Sequence, residues 1–244
     1  TAFTSLSVNC ESCHGPGRGH SENAEKQPLD DLASLDRDAS VEVCFRCHAD
    51  KAAVAAGYLS GANSADFFSL LHLRSNSDAK VDVHGRVQSF SYQESHLWSD
   101  CYRNGSMTCV DCHDPHTNGY RDIYGTALDG RFDDGQCTGC HPSKGGAMAQ
   151  RHHRHGAVEV RCTDCHMPYK QHPAVGAAVT YRRSDHSISI PREIRVPWQR
   201  DGHGCAHCHQ DKSTDWLNEG LKGLFGKLKP SPPGTEEIAQ LSRP

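Results

Sequence analysis

The chain is poor in the material of a conventional core. Only 36% of its 244 residues are hydrophobic and 7% aromatic, against about 45–50% apolar residues in ordinary globular domains. That excludes a large core built from side chains alone. With 22 glycines and 12 prolines, much of the backbone is expected in loops and turns. No apolar run approaches the roughly 18 residues of a membrane span. The start, Thr1-Ala2-Phe3-Thr4-Ser5, has neither a basic n-region nor an apolar h-region. Lys and Arg form no long run and the net charge is −4. This argues against a nucleic-acid partner, although Arg182-Arg183 and residues 151–155 are locally basic. Methionine, at three residues, is scarce; thirteen cysteines and eighteen histidines are not.

Those residues are organised by one repeat. Cys10-Glu-Ser-Cys13-His14, Cys44-Phe-Arg-Cys47-His48, Cys109-Val-Asp-Cys112-His113, Cys137-Thr-Gly-Cys140-His141, Cys162-Thr-Asp-Cys165-His166 and Cys205-Ala-His-Cys208-His209 use twelve of the thirteen cysteines. Two cysteines three apart lie on one side of a helical turn and can form thioethers to the two vinyl groups of one porphyrin. The histidine that follows then faces the iron. Zinc ribbons and disulfide scaffolds also use paired cysteines, but neither requires a histidine after every second one. The pattern therefore reads as six haem c groups, with His14, His48, His113, His141, His166 and His209 as proximal ligands. Each haem adds roughly −1 when oxidised, bringing the particle to about −10. Covalent attachment of haem implies export, so the chain reads as a mature protein whose signal has been removed, periplasmic or at the cell surface.

Successive motifs begin 34, 65, 28, 25 and 43 residues apart. One haem per about 41 residues leaves too little chain to wrap each porphyrin separately, so the haems are expected close together. The expected fold is mostly loop with short α-helices and little β, organised around a packed haem chain.

Beyond the six proximal histidines twelve remain, which makes a second histidine the default distal ligand. Met167 directly follows a proximal histidine and cannot easily reach back to the same iron. Met/His ligation would raise the potential, so bis-histidine ligation implies comparatively low-potential centres. The candidates are His20, after the Gly15-Pro-Gly-Arg-Gly19 turn; His96, in a helical turn; His116, too near its own motif to serve the same haem; His155, with His152 as second choice, from the cluster 152–155; and His186, with Asp185 and two arginines beside it. His84 is the sixth, with His72 competing for the place. His172, His203 and His207 are expected at the surface or against haem propionates. Cys101 reads as a buried free thiol or as a partner for an intermolecular bond.

The run Cys109–His116, then His152-His153-Arg154-His155, then Cys162–Pro168, then Arg182-Arg-Ser-Asp-His186-Ser-Ile-Ser-Ile-Pro191, is similar to multihaem cytochromes often joined to tetratricopeptide repeats. More distantly it resembles the pentahaem nitrite reductase and hydroxylamine oxidoreductase group. The resemblance covers about residues 92–216. It implies haem pairs alternating between parallel and perpendicular packing, with distal ligands at His116, His155 and His186. The departures concern catalysis: no motif ends in lysine, as at the nitrite reductases' catalytic haem, and the chain lacks the length and cross-linked tyrosine of the oxidoreductases. The resemblance thus implies fold and haem packing rather than a catalytic step.

Residues 1–212 read as one hexahaem domain, 213–229 as an amphipathic helix and 230–244 as a proline-rich tail. Ser213 is expected to cap the helix, whose stripe is Leu217, Leu221, Leu224, Phe225 and Leu228. Residues 49–59 are expected to be helical and 181–197 extended. The leading expectation is electron transfer between redox proteins outside the cytoplasm, with no catalytic residues. Alternatives are a subunit of a polymeric extracellular filament or of a larger redox complex, in contact with identical copies, and a reductase with one open haem.

Overall fold

The computed structural model describes residues 8–70, 92–97, 99–156, 158–171, 182–195, 200 and 203–229. His72, His84, His172 and the tail 230–244 lie outside them. The fold is mostly loop with short helices and small two- and three-stranded sheets. Two compact units divide the chain, Thr1–Leu71 and His72–Pro244, a boundary with no counterpart in the sequence reading. The first unit carries two motifs and the second four.

In the first unit the motif helix α1 (Cys10–His14) opens on a reciprocal cap. Ser12 N–H donates to Asn9 Oδ1 and Asn9 N–H to Ser12 Oγ, both at 3.2 Å. Such an exchange satisfies donors that a five-residue helix cannot pair internally. Gly15 then turns the chain at φ +75° into α2 (Arg18–Glu22). The longer α3 (Arg37–His48) is capped by Asp36, which accepts from Ala39 N–H at 2.8 Å. It buries Val41 and Phe45, one turn apart, and carries the second motif at its end. The helix expected over 49–59 does not form. Ala49 is extended and β1 (Lys51–Ala53) pairs antiparallel with β2 (Phe68–Leu70). Val54 N–H continues the pairing onto Phe67 O at 2.8 Å. Cross-strand bonds thus overrode the helix propensity of the alanines.

The second unit begins with α4 (Tyr92–His96), the expected helical turn, and α5 (Asp100–Asn104), capped by Ser99. The third motif opens on a single 3₁₀ turn, Cys109–Asp111, and leads into β3 (His113–Asp114), β4 (Gly119–Arg121) and β5 (Ala127–Leu128), an antiparallel meander. Helices α6 (Gly135–Thr138), α7 (Ala147–His153) and α8 (Cys162–His166) follow. Next come the pair β6 (Tyr169–Gln171) and β7 (Arg182–Ser184), then α9 (Gly204–Cys208) and α10 (Thr214–Phe225). Ser213 caps α10, accepting from Trp216 N–H at 3.2 Å, and Gly226 ends it at φ +78°.

Apolar burial in this unit is small. Ile194, Ala206 and Leu217 form the core cluster, with Cys205 against it. Asn218 ties α10 to the extended segment before it, accepting from Ile194 N–H at 2.9 Å and donating to Ile194 O at 2.8 Å. Elsewhere the buried set is largely polar, with Gln93, Ser95, His96, Ser99, Thr163, Ser187, Ser189 and His203 among it. Among the described residues no helix is long and apolar enough to cross a membrane.

Candidate haem sites

The motifs begin on devices local to the sequence. In the third, Thr108 N–H donates to Asp111 Oδ2 at 2.6 Å; in the fifth, Arg161 N–H donates to Asp164 Oδ2 at 2.9 Å. Ser12 plays the same part in the first. The residue before the second cysteine is thus a cap that tightens the Cys-x-x-Cys turn, a signal visible in the sequence as Ser or Asp at that position. The sixth motif is capped differently. His203, fully buried, accepts from Cys205 N–H on Nδ1 at 3.3 Å and donates from Nε2 to Arg192 O at 3.0 Å. It was expected at the surface or against a propionate. Both ring nitrogens are instead committed to holding α9 against residues 192–194.

No disulfide links the thirteen cysteines. Cys101, read as a buried thiol, is partly buried on α5, and burial raises its pKa first. Motif thiols from different sites lie close enough to perturb one another. Cys13 is raised by burial and then by Cys44 and Cys47. Cys112 is pushed up to about 11 by burial, Asp111, Cys101 and Cys140. Cys162 is raised first by its hydrogen bond with Cys137. Cys165 reaches about 12 through burial and the neighbouring Cys205. The first motif therefore neighbours the second, and in the second unit third, fourth, fifth and sixth follow one another in chain order. Among the described residues no three His, Cys, Asp or Glu side chains converge as the ligand set of one bare ion.

Three pairs of imidazoles share one geometry. His113 and His186 have ring centres 6.1 Å apart and planes 14° apart. His152 and His166 are at 6.1 Å and 11°. His155 and His209 are at 6.4 Å and 27°. Aromatic pairs pack at such distances without any metal. Here, however, each pair joins one motif histidine to one histidine outside the motifs. Two imidazoles bound on opposite sides of one metal at about 2 Å put their ring centres about 6 Å apart.

The ring nitrogens point the same way. His14 Nδ1–H donates to Asp30 O at 3.1 Å, His20 to Gln27 O at 3.2 Å, His166 to Ser189 O at 2.9 Å and His186 to Ser184 O at 2.9 Å. His96 bonds the Met107 backbone, and its buried Nε2 has no hydrogen-bond partner. A metal-ligating histidine characteristically gives its other ring N–H to a carbonyl, which fixes the tautomer and turns Nε2 to the metal. Burial lowers the pKa of His96, His152 and His166 and pushes that of His186 down to about 4, keeping these rings neutral. His166 and His186, kept neutral by burial, fixed by carbonyl anchors and each paired with a second imidazole, fit an iron porphyrin. His116 is exposed on the turn after β3, where its N–H donates to Asp114 Oδ1 at 3.0 Å. Sequence reasoning took one histidine from the cluster 152–155; the structure brings both His152 and His155 to motif histidines.

The motifs are those of covalent haem attachment, and the fold is similar to that of a multihaem cytochrome. Residues 147–228 match the family described as Cytochrome c552, a stretch holding the fifth and sixth motifs. Among solved structures, the outer cell wall cytochrome OcwA is similar, with a TM-score of 0.56 and 17% identity. The likeness covers 91% of this chain and 58% of that one, so this chain spans little more than half of its length. No curated protein matches the sequence. The family match over residues 147–228 and the similar fold support a c-type cytochrome with covalently bound haem.

Proposed function

We propose that the chain carries six haem c groups, each iron held by two histidines, and conducts electrons between redox proteins outside the cytoplasm. The observation that carries this reading is the set of three facing imidazole pairs. On it, His113 and His186 would hold one iron, His166 and His152 a second, and His209 and His155 a third. His20, His96 and His116 are candidates for the other three irons, together with His84 and His72. The haem supplies a one-electron couple. Carbonyl anchors fix the His166 and His186 rings, burial disfavours a proton on His152, His166 and His186, and neighbouring sites lie side by side. Saturated irons leave no position for substrate, which favours a conductor over a reductase.

An extracellular place accords with the covalent haem and with the cell-wall location named for the structural neighbour. Contact with copies of itself, as in a filament, is the variant reading of the partner. Intact mass of the holo chain tests the foundation: six haem adducts are expected, and fewer would show an unused motif. Carbon monoxide added to the reduced protein tests saturation. An unchanged spectrum is expected, whereas a shifted one marks an open iron and favours the reductase.

A further inference from the structure

The segment after β7 holds histidines that the pairing above assigns to different irons. At one end the His186 Nδ1–H donates to Ser184 O at 2.9 Å; at the other, Ser189 O accepts from His166 Nδ1–H at 2.9 Å. Ser189 N–H also donates to His166 O at 3.1 Å, so Ser189 grips the motif histidine of the fifth site twice. Between these ends the segment is braced. Ser187 N–H donates to Asp185 Oδ1 at 2.9 Å, and the buried hydroxyls of Ser187 and Ser189 meet at 2.6 Å. Asp185 N–H donates to Pro168 O at 3.1 Å, two residues beyond His166.

One residue in this segment departs from ordinary backbone. Ile188 has φ +44°, in the left-handed region that a β-branched residue rarely enters. Such a conformation persists where the surroundings over-determine it, and it gathers at functional positions. Here it lies between the two braced serines. A residue with negative φ at 188 would redirect the chain and carry Ser189 off His166.

We propose that residues 184–189 are a strap that positions axial histidines of two haems, the third through His186 and the fifth through His166, so that the two centres are tuned together. The inference rests on the bis-histidine reading. A carbonyl anchor on Nδ1–H makes an axial imidazole a stronger donor to its iron and orients its plane. Loosening the strap weakens both anchors, so both potentials rise. Ser184, Ser187, Ile188 and Ser189 are positioning residues that act only through the two histidines.

Spectroelectrochemical titration of the holo chain, with six haems verified by intact mass, tests this. His186→Met and His152→Met identify the third and fifth centres, because methionine ligation raises the potential of the iron concerned. Ile188→Pro, which forces a negative φ, and the milder Ser187→Ala are expected to raise those same two centres and leave the sixth in place. Ile188→Gly, which accepts positive φ without strain, is expected to leave both where they were. A shift in one centre only, in neither, or equally in the proline and glycine variants would overturn the strap. Should Ile188→Pro fail to mature, Ser187→Ala decides alone. Failure of His186→Met or His152→Met to move any centre would overturn the pairing, and the strap with it.

Discussion

His152 and His166 hold their imidazole planes 11° apart with ring centres separated by 6.1 Å. One lies in the last turn of the helix α7, the other ends the motif helix α8, and the Phe225 ring of α10 is centred 6.0 Å from the His152 ring. His153, next in sequence, does different work: its Nδ1 accepts from His155 N–H at 3.2 Å. Replacing His152 by alanine should open one iron, giving a high-spin signal and carbon monoxide binding in the reduced protein. His153→Ala should leave all six irons low-spin. Absorption spectra of the two variants check this, and an open iron in His153→Ala alone would reverse the assignment.

Acid should weaken the fold in a defined window. Burial above all pushes His186 down to about 4 in the folded chain, against about 6.5 when unfolded, and a bond to iron, which competes with a proton for Nε2, would lower it further. Between those values the unfolded chain binds the extra proton. Stability is therefore fully present above about pH 6.5 and is lost as pH falls toward 4, by an amount on the order of 3 kcal/mol for this residue. His96, His152 and His166 shift the same way, each lowered by burial, and add to the trend. Urea midpoints measured from pH 7 down to pH 4 should fall; a flat profile would show that these rings are not buried neutral.

Gly204 has no room for a side chain. A Cβ there would stand 2.7 Å from Cys165 O and 3.1 Å from Cys165 Cα, both backbone. Gly204→Ala should push α9 from α8, at a cost of about 1–3 kcal/mol typical of overpacking, and disturb the fifth and sixth haems together. Denaturation and potentiometry of the variant check both effects, and unchanged potentials would mean that the helices absorb the methyl without moving their sites.

The last helix should report on the core beneath it. Leu217, 2% exposed, packs with Ile194 and Ala206, so Leu217→Ala should cost about 2–5 kcal/mol. Ser213→Ala removes only the cap and should cost about 1 kcal/mol. Equal losses in urea titrations of the two variants would indicate that α10 frays independently of the core.

Much of this was legible beforehand because it is local. The loop-rich class followed from few apolar residues and many glycines. The end of α10 nearest Ser213 followed from a capping residue set before an apolar stripe. His186 was marked by Asp185 and the two arginines beside it and His155 by the cluster 152–155, and the structure sets each beside a motif histidine. What was hidden depends on chain returning from far away. The strand Lys51–Ala53 forms because residues 68–70 lie beside it, against the helix propensity of its alanines. His203 becomes a buried cap because Arg192 O is there to receive Nε2–H. His152 ranked second because one ligand was sought in the cluster 152–155, whereas α7 and the turn after it present two histidines to two different motifs. The caps at Ser12, Asp111 and Asp164 were visible in the sequence but are recognisable only once the motif turn is seen.

The most direct test locates the metals themselves. Anomalous diffraction from crystals of the holo protein at the iron edge should reveal six irons, three of them centred between His113 and His186, His152 and His166, and His155 and His209. Fewer than six irons, or an iron beside any of these pairs rather than between its rings, would contradict the bis-histidine account.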